Sequence, residues 1–465
     1  MTGGYGRRER NTVLIACCVS GLITPLLSTM MNLSLVSIGD NFGVGSHMLA
    51  YVNTAFLLSS VVFMVPLARL GDMIGKKRMY LIGLATIGVA CLLASVSPSF
   101  WWLVGCRAMM GFGSAALVTT SVSLITDVFP RESRGGAIGM QTMCVYIGLS
   151  AGPPLGGTLN DLIGWHSLFL FVVPLAVIAA VCMMTFRHEI SPSAGRAFDG
   201  RGSVLYGVGI LLSMEGVINM PETWAVAMLL VGVVVMAMFV RWETRTEDYL
   251  LNVRLFRSKV FSGSCLATFL NYAASYSISY FLPLYLQEIG SITATQAGML
   301  MLVQAALQAF VTPLFGRLSD RVEDKRLLPT LGMVITGTGV SLFLFYGMEV
   351  SYPLVFATML IVGFGLGMFS APNTSVVMGS VSPEETGEAS AMVAVMRQSG
   401  MMVSMGIAML FISVIMGGSD NLVPENYGAF LDVIHVSFAL CLAMCAVGTV
   451  ASFLRGKETS AHSGQ

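Results

Sequence analysis

Fourteen long apolar runs joined by short polar turns leave this chain little option but a bundle of helices set in a lipid bilayer. Spanning the hydrocarbon core takes about 20 apolar residues per helix. Runs of that length stand near 12–36, 48–68, 79–97, 101–126, 135–158 and 165–186, then near 202–220 and 223–240, and again near 261–285, 292–315, 328–347, 352–375, 388–416 and 430–454. Only 11% of the 465 residues are charged and 55% are hydrophobic, whereas roughly a quarter are charged in a soluble domain. The expectation is an all-α polytopic membrane protein with the bilayer as its main partner. So little chain remains between the runs that no separate catalytic or regulatory domain is expected, and no residue is assigned to catalysis.

Orientation follows from the lysines and arginines, because short loops rich in them stay on the cytoplasmic side. With the N-terminus inside, the inner loops hold Lys76, Lys77 and Arg78; Arg131 and Arg134; Arg187, Arg196 and Arg201; Arg241, Arg245, Arg254, Arg257 and Lys259; and Arg317, Arg321, Lys325 and Arg326. The outer loops hold none. Both termini are therefore expected in the cytoplasm, with the chain in the plasma membrane. Removing the pair 202–220 and 223–240 would keep this asymmetry and give twelve spans, but each run is long enough to cross.

Several chemistries find no support. The first apolar run is too long for a cleavable signal and is followed by further spans. The nine cysteines lie in apolar runs without metal-ligand spacing or a redox motif. His435 follows Asp432 by three residues and reads as an interfacial pair rather than a proton relay. No phosphate-cradling GxxxxGK[ST] string occurs, so neither an ATP site nor any other cofactor is expected. Nucleic acid is not an expected partner, and a monomer is expected.

The chain also repeats itself. Residues 68–78 read ARLGDMIGKKR and residues 316–326 read GRLSDRVEDKR. DVFPRESRGGAIGM (127–140) has a counterpart in SVSPEETGEASAM (380–392), and RAMMGFG (107–113) aligns with MLIVGFG (359–365), so Met359 stands opposite Arg107. Such doubling across several spans marks secondary transporters, whose sites lie between the halves. Arg107 falls inside an apolar run, where an arginine costs at least a few kcal/mol unless it faces a polar path or a partner. In GLSAGPPLGG, Gly148, Gly152 and Gly156 recur on one helix face, Pro153 and Pro154 loosen the helix, and Gly157 ends the string.

These strings resemble a known family. ARLGDMIGKKR resembles the G-x-L-x-D-R-x-G-R-K turn of the major facilitator superfamily, with Asp72, Gly75, Lys76, Lys77 and Arg78 at the acid, tight-turn and basic positions; Gly316, Asp320 and Arg321 keep it in the second copy. Arg107 is similar to the R-x-x-x-G-x-G signature of proton-coupled members, and GLSAGPPLGG with WHSLFLFVVP (165–174) resembles the G-x-x-x-G-P-x-x-G-G and W-R-W-x-F-x-x-N-x-P of drug:proton antiporters. The resemblance, over 12–455, is to the fourteen-helix drug:proton antiporter branch. It implies the major facilitator fold: two pseudo-symmetric six-helix bundles at 1–186 and 261–465, with cytoplasmic loops and two accessory helices at 187–260. It also implies that Asp127 meets the cations of the first turn, and that the turn latches one bundle to the other as they rock. Where the branch has an acid in its first helix, LLSTMMNLSLV (26–36) keeps Thr29 and Asn32 but has Leu27, and it has Val36 in place of a proline.

The candidate transport path contains Asn32, Arg107, Arg397, Gln398 and Glu215, the last being the one carboxylate well inside an apolar run. The candidate substrate cavity contains Asn271, Tyr272, Tyr276, Tyr280 and Gln304, in a chain of 33 methionines suited to loose specificity. Asp161, Glu288 and Asp432 are expected to border an outer vestibule. The expected function is export of small amphipathic or drug-like molecules in exchange for protons. An uncoupled facilitator or a metabolite or organic-anion transporter of the same fold, and a non-transporting receptor or scaffold, remain alternatives.

Overall fold

A computed structural model describes residues 6–190, 198–220, 222–246, 250–251, 253–319, 322, 324–381, 386–417 and 422–455. Counting consecutive segments that run on without a loop as one, the described residues form fourteen helices and a short 3₁₀ helix at Val253–Arg257. The first six are α1 (Arg7–Phe42), α2 (Ser46–Ile74), α3 (Lys76–Ser95), α4 (Phe100–Val128), α5 (Arg131–Ile163) and α6 (His166–Thr185). An accessory pair follows, α7 (Gly200–Ile218) and α8 (Thr223–Glu243). The last six are α9 (Lys259–Ser275, continued by Ile278–Leu284 and a π turn at Tyr285–Ile289), α10 (Ala294–Ser319), α11 (Leu327–Ser341), α12 (Tyr352–Gly379), α13 (Thr386–Met416) and α14 (Tyr427–Leu454).

Eleven of these helices are long and apolar enough to cross a membrane by themselves. The other three are α5, α7 and α9. Glycine, proline and polar residues dilute α5, Arg201 and Glu215 interrupt α7, and the first piece of α9 has only 17 residues. The unbroken helix expected over 261–285 is thus corrected: α9 breaks at Tyr276 and Ser277. Similarly, α1 tightens into a 3₁₀ turn at Met30–Ser34.

The two sets of six pack alike. In the first, α4 lies on α2 and α3, α1 on α5 and α6, and α3 on α6; in the second, α12 lies on α10 and α11, α9 on α13 and α14, and α11 on α14. Glycines at repeated positions make these approaches possible, because a side chain would collide with backbone. A Cβ on Gly111 would lie 2.3 Å from the Phe56 carbonyl oxygen, and one on Gly363 would lie 2.5 Å from that of Gln304. Gly113 against Gly83 and Gly365 against Thr336 repeat the pattern one turn face away, and Gly148 against Leu22 and Gly400 against Phe269 repeat it for the fifth helix of each set.

The sets meet through two mirrored contacts, α5 on α10 and α2 on α13. The accessory helix α7 packs on α2 and α13, where Tyr206 donates to the Val61 carbonyl at 3.0 Å and Gly406 admits Val217.

Candidate functional site

The acidic-basic turn folds as its residues dictate. Gly75 links α2 to α3 with φ +117, a conformation L side chains rarely adopt, and its missing Cβ leaves space filled by the Glu189 carboxyl group. Lys76, buried at the start of α3, reaches Asp127 at the end of α4 at 2.5 Å and Asp72 at 3.6 Å. The segment after α6 lies over this turn. Lys76 N–H donates to Ile190 O at 2.9 Å, Lys77 N–H to Glu189 Oε1 at 2.9 Å, and Lys77 Nζ to Phe186 O, while Arg78 lies 3.7 Å from Glu189. The expected meeting of Asp127 with the cations is present. However, these ion pairs join helices of one set, not one set to the other as expected: the short turn sets Lys76 beside its neighbour α4. In the second copy Gly316 faces Ala371, and Arg326 grips Asp324 through two bonds of 2.9 and 2.8 Å, which holds its charge more firmly. Asp320 and Arg321 lie outside the described residues.

The glycine string divides its work. Gly148, Gly152 and Gly156 face α1: a Cβ at Gly152 would meet Thr29 Oγ1 at 1.8 Å, and one at Gly156 would meet Met30 O at 2.5 Å. These bare positions admit the 3₁₀ turn of α1. Gly157 instead faces the other set, with Ala294 O 2.3 Å from a Cβ there, and Pro153 O lies against Gly298. In α13 the equivalent of Gly152 is Ser404, whose hydroxyl accepts the Ser277 N–H at 2.8 Å where α9 breaks.

Arg107 is 1% exposed and ties three helices of the first set together. Nε donates to Val52 O of α2 and Nη1 to Leu27 O of α1, both at 2.9 Å, and the guanidinium lies 4.6 Å from the centre of the Phe56 ring. Leu27, standing where the resemblance implies an acid, thus meets Arg107 through its carbonyl. Pitch changes leave helical carbonyls without regular partners, and the turn beginning at Met30 is such a change. Asn32 accepts from Asn53 Nδ2 at 2.7 Å. Glu215 is far from this centre: it accepts from Asn219 at 3.2 Å, and Tyr51 donates to Asn219 at 3.2 Å, which links α7 to α2.

Between the sets, six hydrogen-bonded pairs are described. At mid-height, Ser28 meets Tyr276 at 3.0 Å, Tyr146 meets Ser370 at 3.1 Å, Gln398 Nε2 donates to Ser60 at 3.2 Å and Thr54 donates to Met409 Sδ at 3.7 Å. Toward the end that carries Asp161, Thr295 donates to that carboxylate through N–H at 2.9 Å and Oγ1 at 2.6 Å, and Tyr280 donates to Ser46 O. None of these pairs lies at the end that carries Asp72, Lys76 and Asp127. Tyr272 and Arg397 are half-buried and within electrostatic reach of Tyr146, as is Thr312. Gln304 is half-buried with its backbone against Gly363, and Asn271 is wholly buried with both amide atoms unbonded among the described residues. Tyr280 is 1% exposed and closes the Asp161 end rather than lining open space.

Residues 15–251 and 264–465 match the profile of the Major Facilitator Superfamily. The chain belongs to that superfamily. It is 24% identical over 462 residues to the riboflavin transporter RibZ of Clostridioides difficile (strain 630), covering 97% of this chain and 99% of RibZ. It is 28% identical over 407 residues to the multidrug resistance protein Stp of Mycobacterium tuberculosis (strain CDC 1551 / Oshkosh), covering 86% of this chain and 75% of Stp. A solved structure of a bacterial homologue of the human lysosomal transporter Spinster, inward-facing and unoccupied, has the same fold, with a TM-score of 0.71, 16% identity, and coverage of 97% of this chain and 98% of that one. As a multi-pass member of this superfamily with transporters as relatives, the protein is a membrane transporter and not an enzyme.

Several residues between the sets escape sequence reasoning. Tyr146, Thr312 and Ser370 join the central group from three helices, and their one signal is a polar side chain in an apolar run. Asp161 was expected only to border a vestibule, and it staples the start of α10. His435 donates to Tyr346 O at 2.9 Å, correcting its expected pairing with Asp432, because the loop after α11 brings that carbonyl within reach.

Proposed function

We propose that the protein is a fourteen-span secondary transporter that exports small amphipathic molecules across the plasma membrane by alternating access, in exchange for protons. The observation that carries this reading is the pair of mirrored interfaces between the sets, α5–α10 and α2–α13. Both sets contribute polar side chains that pair across them at mid-height. With the cation-bearing loops inside, as the charge asymmetry argues, the contacts of Asp161 with Thr295 and of Tyr280 with Ser46 lie at the outer end. The moving units are the bundles 1–186 and 261–465, the segment 187–260 supplies the accessory pair, and both termini face the cytoplasm. The Lys76, Asp72 and Asp127 cluster then stiffens one bundle's inner end. A potential of about 100 mV supplies roughly 2.3 kcal/mol per proton and one pH unit about 1.4 kcal/mol. The carrier works as a monomer on small molecules, with no cofactor beyond the gradient.

One observation favours an uncoupled carrier instead. Leu27 stands at the usual acid position, and its carbonyl takes the Arg107 donor. Proteoliposomes loaded with a pH dye and screened with cationic, neutral and anionic fluorophores separate the two. Substrate-evoked proton movement is expected; downhill flux without it establishes the facilitator, and binding without flux establishes a receptor. Site-directed labelling is expected to find the turns at Asp72 and Asp320 on the same face of the membrane, and opposite faces would end the alternating-access reading.

A further inference from the structure

The accessory pair belongs to neither set of six, yet it is not bonded to both alike. Tyr206 of α7 donates to the Val61 carbonyl of α2 at 3.0 Å, and Tyr51 of α2 donates to Asn219 at the end of α7 at 3.2 Å. Tyr51 and Val61 stand about 15 Å apart along α2, at 1.5 Å per residue. Two helices pinned by directional bonds at two heights cannot slide along each other without breaking one. Beside the inner of these bonds the helices also touch, with Val62 Cγ1 3.4 Å from a Cβ on Gly207.

The second accessory helix follows the first. A Cβ on Gly216 would lie 2.5 Å from Leu229 N and one on Gly232 would lie 2.4 Å from Ser213 N, so the backbones of α7 and α8 meet twice. Asp199 then ties their inner ends, accepting from Gly202 N–H and from Trp242 Nε1, both at 2.9 Å. The segment after α6 is fastened to the first set as well. Glu189 fills the space beside Gly75 and accepts the Lys77 N–H at 2.9 Å.

Toward the second set the contact is of another kind. Among the described residues no hydrogen bond joins α7 or α8 to the helices from α9 to α14. Instead α13 meets α7 where Val217 Cγ1 lies 2.6 Å from the place of a Cβ on Gly406. An apolar side chain over a bare backbone position can shift without leaving a polar group unpaired. The attachment changes at the exit from the pair. Glu243, buried at the end of α8, accepts Leu250 N–H at 2.8 Å and Leu251 N–H at 3.0 Å. The turn at Val253–Arg257 packs on α9 instead, where Ser262 Oγ donates to Phe256 O at 2.5 Å and the Phe256 and Phe261 rings are 5.3 Å apart.

We propose that the accessory pair is a fixed part of the first moving unit, and that the second bundle slides over it along Val217 and Gly406, with the boundary between the units after Leu251. This rests on the alternating-access reading above and assigns the pair to one side of it.

The test reads distances between nitroxide labels at three exposed inner positions: Met184 of α6, Thr244 after α8 and Leu454 of α14. Each is changed to cysteine in the full chain, with the half-buried Cys18, Cys144 and Cys182 replaced by serine, in lipid nanodiscs. Asp161→Ala, which removes the acceptor for Thr295 between the sets, and a move to acid pH are used to shift the bundles. The distances Met184–Leu454 and Thr244–Leu454 are expected to change together by about 5 Å or more, half a helix diameter, while Met184–Thr244 keeps its mean and its width. A change in Met184–Thr244 at constant Thr244–Leu454 would place the pair on the second set, and independent changes in both would free it from either; each overturns the proposal. A Met184–Leu454 distance that neither treatment moves overturns the rocking of the bundles, and the attachment is then judged by two further variants. Tyr206→Phe combined with Asn219→Ala is expected to broaden the Met184–Thr244 distribution about twofold, as loss of both bonds to α2 requires, and Val217→Ala to leave it unchanged. No broadening in the first variant, or equal broadening in the second, overturns the attachment whatever the bundles do.

Discussion

The fifth helix of each bundle shows what the repeat preserves and what it releases. In α5, Gly148, Gly152 and Gly156 are bare along the face that receives α1, and in α13 Gly400 does the same for α9 while Ser404 replaces the second glycine. The backbone approach survives in both copies. The polar side chains inside the apolar runs do not: Tyr146 belongs to α5, Arg397 and Gln398 to α13, and Arg107 of α4 aligns with Met359 of α12. Close packing of helices in lipid relies on small residues, and these are retained wherever two backbones touch. Side chains away from these backbone contacts carry no such symmetry requirement, so the halves diverge there.

Substitutions that probe equivalent positions can break this comparison. The largest effect is expected for Gly111→Ala and Gly363→Ala, each of which drives a Cβ into a carbonyl at 2.3 and 2.5 Å. Each is expected to cost about 1–3 kcal/mol, as overpacking does, read as a lowered melting temperature in detergent, with transport near background. Tolerance at one position only would mean that the repeated glycines are not equivalent. Next comes Arg107→Ala, expected to reduce transport at least about tenfold by removing two charge-assisted bonds, with membrane insertion measured in parallel. Its counterpart Met359→Leu, a near volume-conserving change, is expected to stay within about twofold.

A smaller effect contrasts the two acidic-basic turns. Lys76→Ala leaves the partly exposed Asp127 and Asp72 without their partner and is expected to cost about 1 kcal/mol and slow turnover. Arg326→Ala removes a local pair at the surface, and initial rates are expected to stay nearly constant. The reverse order would show that the second turn, not the first, stiffens its bundle. The smallest change sharpens the break in α9. Ser404→Gly removes the acceptor for Ser277 N–H and is expected to cost about 0.5–1.5 kcal/mol, measurable as hydrogen exchange at Ser277.

Much of this was legible in advance because lipid is an unforgiving solvent. Apolar length revealed each helix, including the accessory pair, and the repeated GFG and the turn glycines pointed to the doubled architecture. The site was legible only in part. Arg107, Asp127, Lys76 and Arg397 stand out as charges in or beside apolar runs. Nothing local shows that Arg107 would give two of its donors to the Leu27 and Val52 carbonyls while Arg397 would make no hydrogen bond among the described residues. Glu215, a candidate for the transport path as a carboxylate inside an apolar run, lies on α7, which packs on α2 and α13, and Asn219 with Tyr51 takes it up.

By itself the sequence determined the helices, their doubling and the bare faces along which backbones touch, because each follows from neighbours three or four residues away or from the thickness of the bilayer. Only the tertiary structure decided that the Leu27 and Val52 carbonyls take Arg107 and that Asp161 meets Thr295, and Ser46 meets Tyr280, between the sets. Those depend on side chains hundreds of residues apart arriving at one depth, and no periodicity in the chain records that distance.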